Sequence, residues 1–450
     1  MRRLRSARTW LVSPRAAARG PRQRMLPLGP LVLAAILVTF LVGLLVQYAH
    51  LAYGIGKRFP ESTLNHLWYR PGDGEWVWAR PELNAFQPGI STWPHVFGDL
   101  FDVWLHGFEG NPYTEYIFGP SLYPPLLQLL TKPWHLVSYP VILGLFLFVC
   151  AVGWLWLGTR SLRRLRCPSP FVAAFVVLFF TLPLLFAMDR GNVEALVAMT
   201  LPLALLPVVG MSTTRSGRPW LLVLGGFLKI SPIALLGIVR WNRRTLIEAG
   251  VAIFVFGGAS AVALLLMNGD PVDTARAYAQ IVTGYSAGND HIFEFRTTIW
   301  GTLAAWMVVL RADPTAIYTI SASAGLIGFV IMLANGVVAA VLPLHLWERV
   351  VLVATGLVLW SGDGPAYRGL YLVVGLLLLL GKRWNARALF PTAIGLLLVC
   401  ALAPKPTLPS LSWLGTLATG TPMIIVTLSI ITVGLLRLNR IWTVRRQAGR

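Results

Sequence analysis

Long apolar runs alternate with short polar segments along the whole chain. A helix crossing the hydrocarbon core of a membrane needs about 20 apolar residues. The runs allow about ten or eleven such helices. The first, at about 30–52, follows a basic arm. It is longer than the roughly 7–15-residue core of a cleaved signal peptide, so it reads as an uncleaved first span. Further spans are expected at about 140–158, 170–188, 194–210, 245–267, 317–341, 387–403 and 421–437, with two more flanking "SGDGPAYRG".

Some segments break the pattern. "SLYPPLLQLLTKPWHLVSYP" is apolar but interrupted by Pro124, Pro125, Pro133 and Pro140, so it reads as a helix lying on the membrane surface. Residues 299–310 read as a second surface segment, after a polar loop at 268–298. "WLLVLGGFLKISPIALLGIVRWNRR" has arginine at both ends and is interrupted by Gly225, Gly226 and Pro232. Two half-helices meeting inside the membrane, close to Lys229, satisfy both features. Such breaks are tolerated only where protein covers them or a cavity adjoins them. No strong internal repeat is visible.

Composition supports the class. Of 450 residues, 56% are hydrophobic and only 12% are charged, against about a quarter charged in soluble domains. The chain is expected to be an all-α polytopic membrane protein. The net charge of +20 sits in short clusters such as "MRRLRSAR", "RSLRRLR", "RWNRR" and "RLNRIWTVRR". These read as cytoplasmic loops under the positive-inside rule, not as a nucleic-acid surface. That places basic cytoplasmic arms at 1–29 and 438–450, with one transmembrane domain at 30–437 between them. The first extracytoplasmic loop spans about 53–139. Basic charge is mostly arginine, with lysine only at Lys57, Lys132, Lys229, Lys382 and Lys405, as in a GC-rich bacterial genome. Cys150, Cys167 and Cys400 show neither metal spacing nor a clear pair.

With this topology, 16 of the 18 acids fall on the outer side, leaving Glu248 and Glu348 inside. The densest outer stretch is "HVFGDLFDVWLHGFEGNPY" at 95–113. Asp99 and Asp102 are three residues apart, on one side of a helix. Paired carboxylates suit proton transfer, although a solvated helix face has the same pattern. "FAMDRGNVEAL" places Asp189, Arg190, Asn192 and Glu194 between short apolar helices, and "DGPAYRG" places Asp363, Tyr367 and Arg368 similarly. Charges at membrane depth are costly and usually functional; the bland alternative is an interfacial ion pair.

The order of these features resembles the GT-C class of membrane glycosyltransferases. More narrowly, it resembles the GT87-like family of bacterial polyprenyl-phosphate-mannose-dependent α-mannosyltransferases. The residues carrying the resemblance are Asp99 after the first helix, "GNPY" at 110–113, "YPPLL" at 123–127, "DRGNVEAL" at 189–196 and "LKISPIALL" at 228–236. They cover most of the chain up to about 240; beyond that only hydropathy is similar. The resemblance implies a GT-C-type bundle of about 10–12 transmembrane or re-entrant helices. It also implies a lipid-linked donor, an extracytoplasmic site in a bacterial inner membrane and a catalytic acid in the first loop. That acid maps onto Asp99, with Asp102 as the alternative. The aromatic expected after it is Trp104, whose spacing fits neither aspartate cleanly. The family's histidine has no match in the C-terminal loops, which leaves His291 and His95 to stand in.

A polyprenyl phosphate is already a good leaving group, so one carboxylate is enough. Asp99 would deprotonate an acceptor hydroxyl as it attacks and inverts the anomeric carbon, whereas hydrolases need a second carboxyl. Arg190, Arg368 and Lys229, with Arg296 behind them, are candidates for the donor phosphate, or else snorkelling residues. His95, Trp104, Tyr113, Tyr123, Asn192 and His291 are candidates for sugar and acceptor, although aromatic belts at interfaces are common. No cofactor and no metal are expected. Expected partners are membrane lipids, the polyprenyl-phosphate-linked sugar and a glycolipid or glycan acceptor. The rival readings are a transporter or flippase of lipid-linked sugars and a non-catalytic assembly partner.

Overall fold

A computed structural model describes residues 28–52, 98–115, 121–189, 191–210, 217–229, 231–287, 299–311, 321–360, 366–381, 389–403 and 412–448. Seventeen α-helices and a few 3-10 turns make up its regular structure, with no strand among the described residues. Helices Tyr139–Arg164 and Arg243–Leu265, and the stretch Leu414–Gln447 of the last helix, are each long and apolar enough to cross a membrane. Helices Pro170–Phe179 and Leu182–Asp189, bent by 64° at the break between them, are together long and apolar enough for a broken span or a re-entrant loop. Shorter apolar helices fill in the bundle. The chain is therefore an all-helical polytopic membrane protein.

The Leu370–Leu380 helix sits at the centre: all of its residues are buried. A helix that is apolar on every side belongs inside a bundle. The Tyr139–Arg164 helix shows the opposite arrangement. It buries Ile142, Phe146, Cys150 and Trp154 and leaves Val141, Leu145, Phe148 and Val152 exposed. Those exposed positions share one face, which suits contact with lipid tails.

The breaks have local causes. Pro183 follows the bend at residues 180–181 and has no N–H to donate back across it. Thr181 caps the preceding helix, its hydroxyl donating to the Val177 carbonyl at 2.7 Å. Residues 194–210, expected as one span, form the short helices Glu194–Val197 and Thr200–Leu205 and then turns, in a stretch carrying Pro202 and Pro207. The expected half-helix pair is present as helix Pro219–Leu228 and the 3-10 run Ser231–Ile238. The break falls at Lys229, which is extended. Gly225 and Gly226 are not the break itself. They let the second half fold back against the first, since a Cβ on Gly226 would lie 3.2 Å from Ile233.

Two expected loops are partly helical. Residues Pro271–Ala287 form a helix. Asp270 starts it, its carboxylate accepting from the backbone of Val272 at 2.8 Å and of Asp273 at 3.0 Å, with Pro271 at the first position. The last helix begins at Ser412, well before the expected 421, and runs through Pro422 to Ala448. It covers much of the expected tail. Helix Ile299–Val309 packs on it, with Trp306 Nε1 donating to Thr421 Oγ1 at 3.1 Å. Arg437 forks onto Glu348 at 2.6 and 2.9 Å and ties the last helix to the start of helix Leu346–Trp360.

Candidate active site

Asp99 lies in the first turn of helix Gly98–Leu105, where free N–H groups favour a carboxylate. Its side chain also makes a contact that no local rule supplies. Asn192 Nδ2 donates to Asp99 Oδ2 at 2.6 Å, across 93 positions of sequence. Asn192 is placed by the end of helix Leu182–Asp189. Gly191 takes φ 65°, its N–H donates to Met188 O at 3.0 Å, and the Asn192 N–H donates to Ala187 O at 2.8 Å. This is a Schellman closure, with glycine at the left-handed position and asparagine next. The "RGN" sequence thus has a backbone reason.

The Asn192 amide is held in one orientation. Its Oδ1 accepts from the Glu194 backbone N–H at 2.9 Å and from Lys229 Nζ at 3.2 Å. With donors on that side, the NH₂ group is the one left to face Asp99. Lys229 Nζ also lies 3.0 Å from Glu194 Oε2. Tyr371 donates a short hydrogen bond to Glu194 Oε1. Glu194 is fully buried, at 0% exposure. Its charge is offset by the ammonium and by the phenol, as burial requires. Lys229 reaches this point because the chain is extended where helix Pro219–Leu228 stops. Its ammonium stands 5.6 Å from the centroid of the Tyr123 ring, within cation–π range.

The first loop forms the other wall. Tyr113 donates its hydroxyl to the Tyr123 carbonyl at 2.7 Å. Asn111 Nδ2 donates to Asn268 O at 2.7 Å and to Thr274 Oγ1 at 2.8 Å, pinning the loop to helix Pro271–Ala287. Gly110 leaves room there for the Asn268 side chain, which a Cβ would displace. The Tyr113 and Tyr278 rings meet at 5.1 Å. Burial pushes both phenols above their ordinary range, and Tyr278 raises Tyr113 further. Trp104 donates its Nε1 to Val137 O at 2.9 Å, and its ring packs at 5.0 Å on Phe108 and 5.8 Å on Tyr139. It clamps the surface segment onto the first loop. Behind it, His106 and Glu109 form a buried pair at 2.6 Å.

Arg368 sits in the 3-10 turn Ala366–Gly369, which packs against helices Leu182–Asp189 and Glu194–Val197. Its Nε and Nη1 atoms are buried and find no hydrogen-bond partner among the described residues. Buried guanidinium nitrogens in that condition call for an acceptor.

The structure therefore gathers Asp99, Asn192, Lys229, Tyr113 and Tyr123, with Arg368 on the flanking turn. Trp104 supports them from behind. His95, Arg190, His291 and Arg296, and the side chain of Asp102, lie outside the described residues. Two members were not foreseen. Glu194 was visible only as an acid at membrane depth, and Tyr371 only as a hydroxyl three positions after Arg368 in an otherwise apolar run. Lys229, expected as a free cation for phosphate, has a carboxylate partner.

Comparison with known proteins adds one finding. The model of glycosyltransferase family 87 matches residues 122–362, just over half of the chain. The matched span contains Tyr123, Asn192, Glu194 and Lys229; Asp99 precedes it, and Arg368 and Tyr371 follow it. It reaches well past residue 240, where the resemblance in sequence motifs stopped. No curated protein and no solved structure matches the chain.

Proposed function

The chain belongs to glycosyltransferase family 87, and from that premise we propose that it transfers a sugar from a polyprenyl-phosphate donor to a hydroxyl of a lipid or glycan acceptor. Mannose is favoured by the resemblance of the motifs. The reaction takes place at the extracytoplasmic face of a bacterial inner membrane, with both termini in the cytoplasm. The observation that carries the reading is the 2.6 Å bond from Asn192 to Asp99. It fixes a first-loop carboxylate against the Lys229–Glu194 pair of the family-matched segment, whose acid is fully buried.

In this reaction Asp99 accepts the proton of the acceptor hydroxyl. The freed oxygen pair attacks the anomeric carbon from the face opposite the phosphate. The carbon–oxygen bond to phosphate breaks, the configuration inverts, and the polyprenyl phosphate leaves with the electron pair. No second carboxyl is needed to protonate that leaving group. Asn192 holds the base in place, and a misplacement of about 1 Å at such a group costs on the order of a hundredfold in rate. Arg368 meets the charge that grows on the phosphate, since its Nε and Nη1 are buried and lack an acceptor among the described residues. Lys229 acts one step back, through Asn192. Arg190 and Arg296 stand as further candidates for the phosphate. Tyr123, held by Tyr113, offers an aromatic face to sugar.

The test is sugar transfer by purified protein in nanodiscs, given a panel of polyprenyl-phosphate sugars. Asp99→Asn in folded protein should lose transfer, while Asp102→Asn should keep a measurable rate. Loss with Asp102→Asn alone moves the base three residues on. A wild type that translocates lipid-linked sugars without transferring them makes the transporter reading the correct one.

A further inference from the structure

A second site lies at the arginine-rich end of helix Tyr139–Arg164, well away from Asp99. None of the residues lining it belongs to the Asp99 site. A cavity of about 700 Å³ opens there, lined by Trp156, Arg160, Arg164, Leu206, Pro207 and Arg218 among others. Trp156, Arg160 and Arg164 recur every fourth residue and so share one helix face. The Arg160 guanidinium stands 5.5 Å from the centroid of the Trp156 ring. Arg164 donates a short hydrogen bond to the Leu206 carbonyl, which aims its head group along the cavity wall. The opposing wall can come this close because Gly210 turns with φ 76°, at a point where a Cβ would strike the Arg164 carbonyl. Arg218 closes the third side, its backbone N–H donating to Ala204 O at 3.0 Å.

Three arginines therefore line one cavity, and none of them pairs with a carboxylate among the described residues. The proposed transfer reaction does not use them. The rest of the lining is apolar, and Trp156 is 51% exposed on a helix whose outer face is apolar. An amphipathic ring at that level marks the boundary between head groups and tails. We propose that this cavity binds the phosphate head group of an anionic membrane phospholipid. The arginines take the phosphate, and the apolar wall with Trp156 takes the start of the acyl chains. Both requirements follow from the lining: a free phosphate would leave the apolar half unused, and a zwitterionic lipid would leave charge uncompensated. Basic pockets between membrane helices recognise lipid head groups in this way.

The test is native mass spectrometry of the full chain, delipidated in detergent. It is titrated with phosphatidylglycerol, with phosphatidylcholine of the same acyl chains, and with inorganic phosphate. Wild type should retain phosphatidylglycerol about tenfold better than phosphatidylcholine. Arg160→Gln with Arg218→Gln should abolish that preference, and Arg160→Lys with Arg218→Lys should keep most of it, which shows that the fold tolerates change at these positions. Arg445→Gln with Arg446→Gln removes equal charge elsewhere and should leave the preference intact. Equal retention of both lipids, a preference that survives the glutamine pair, or equal loss with Arg445→Gln/Arg446→Gln overturns the proposal. So does complete displacement of phosphatidylglycerol by millimolar inorganic phosphate, which would make this a bare-phosphate site.

Discussion

Glu194 and Lys229 show how much a single residue type can reveal, and what it conceals. A carboxylate at membrane depth is a functional hint in any sequence. Nothing in "DRGNVEAL" says that its cation comes from a break 35 positions on. Asn192 is similar: the asparagine is legible, but its hold on Asp99 depends on Gly191 closing the preceding helix. The pair can be tested by separating its charge from its geometry. Glu194→Gln leaves the half-buried Lys229 ammonium beside a neutral amide. Removing one partner of a buried pair costs about 3–5 kcal/mol, whereas replacing both by neutral groups is often near neutral. Thermal unfolding in detergent should therefore fall sharply for Glu194→Gln and recover in Glu194→Gln with Lys229→Met. Transfer should stay below wild type in the double variant, because Asn192 has lost one of the two donors that keep its amide facing Asp99. A double variant as unstable as the single one would mean that the two residues do not act as a pair.

At the scale of elements, the sequence pattern locates most helices and the break at Lys229, but not the division of 194–210 or the bend before Pro183. Pro183 and Pro232 are visible in the sequence, yet the 64° turn and the fold-back at Lys229 come from what packs across each break. Polar helices were the harder case. Pro271–Ala287 reads as loop in sequence because its composition is mixed, although "DP" at its start is a helix-opening signature. Its docking onto the "GNPY" loop rests on Asn111 and on the Tyr113–Tyr278 contact. Both phenols are raised by burial, so they bind their protons more tightly folded than unfolded. Unfolded phenols titrate near 10. The stability of this contact is therefore complete below about pH 10 and is lost as pH rises above it. Hydrogen exchange over residues 271–282, corrected for intrinsic rates, should stay flat to about pH 9.5 and then accelerate. Tyr278→Phe should reduce the acceleration. A corrected profile that stays flat to pH 11 would argue that the contact does not hold the helix.

For the whole molecule, charge was the most legible feature and length the least. On the positive-inside reading, clustered arginines divide the chain into two sets of loops; Glu348, one of two acids which that reading assigns to the basic side, pairs with Arg437 of the last helix. Span lengths do not survive as simply, since several apolar helices are only 10–17 residues long. Orientation in the membrane can be tested independently of activity. Cys167 follows the cluster "RSLRRLR" and is partly accessible; Val272 is 64% exposed on the helix docked to the first loop. A chain with Cys150→Ala and Cys400→Ser keeps Cys167 as its one thiol, and Cys167→Ser with Val272→Cys moves that thiol to the other face. A membrane-impermeant maleimide should label Val272→Cys in intact cells, and Cys167 only after permeabilisation. The inverse result would put Asp99 on the cytoplasmic side, where a donor presented at the outer face could not reach it. Labelling of both sites in intact cells would place the "GNPY" loop and the arginine cavity in one compartment, and the positive-inside reading of this chain would have to be abandoned along with the extracytoplasmic site.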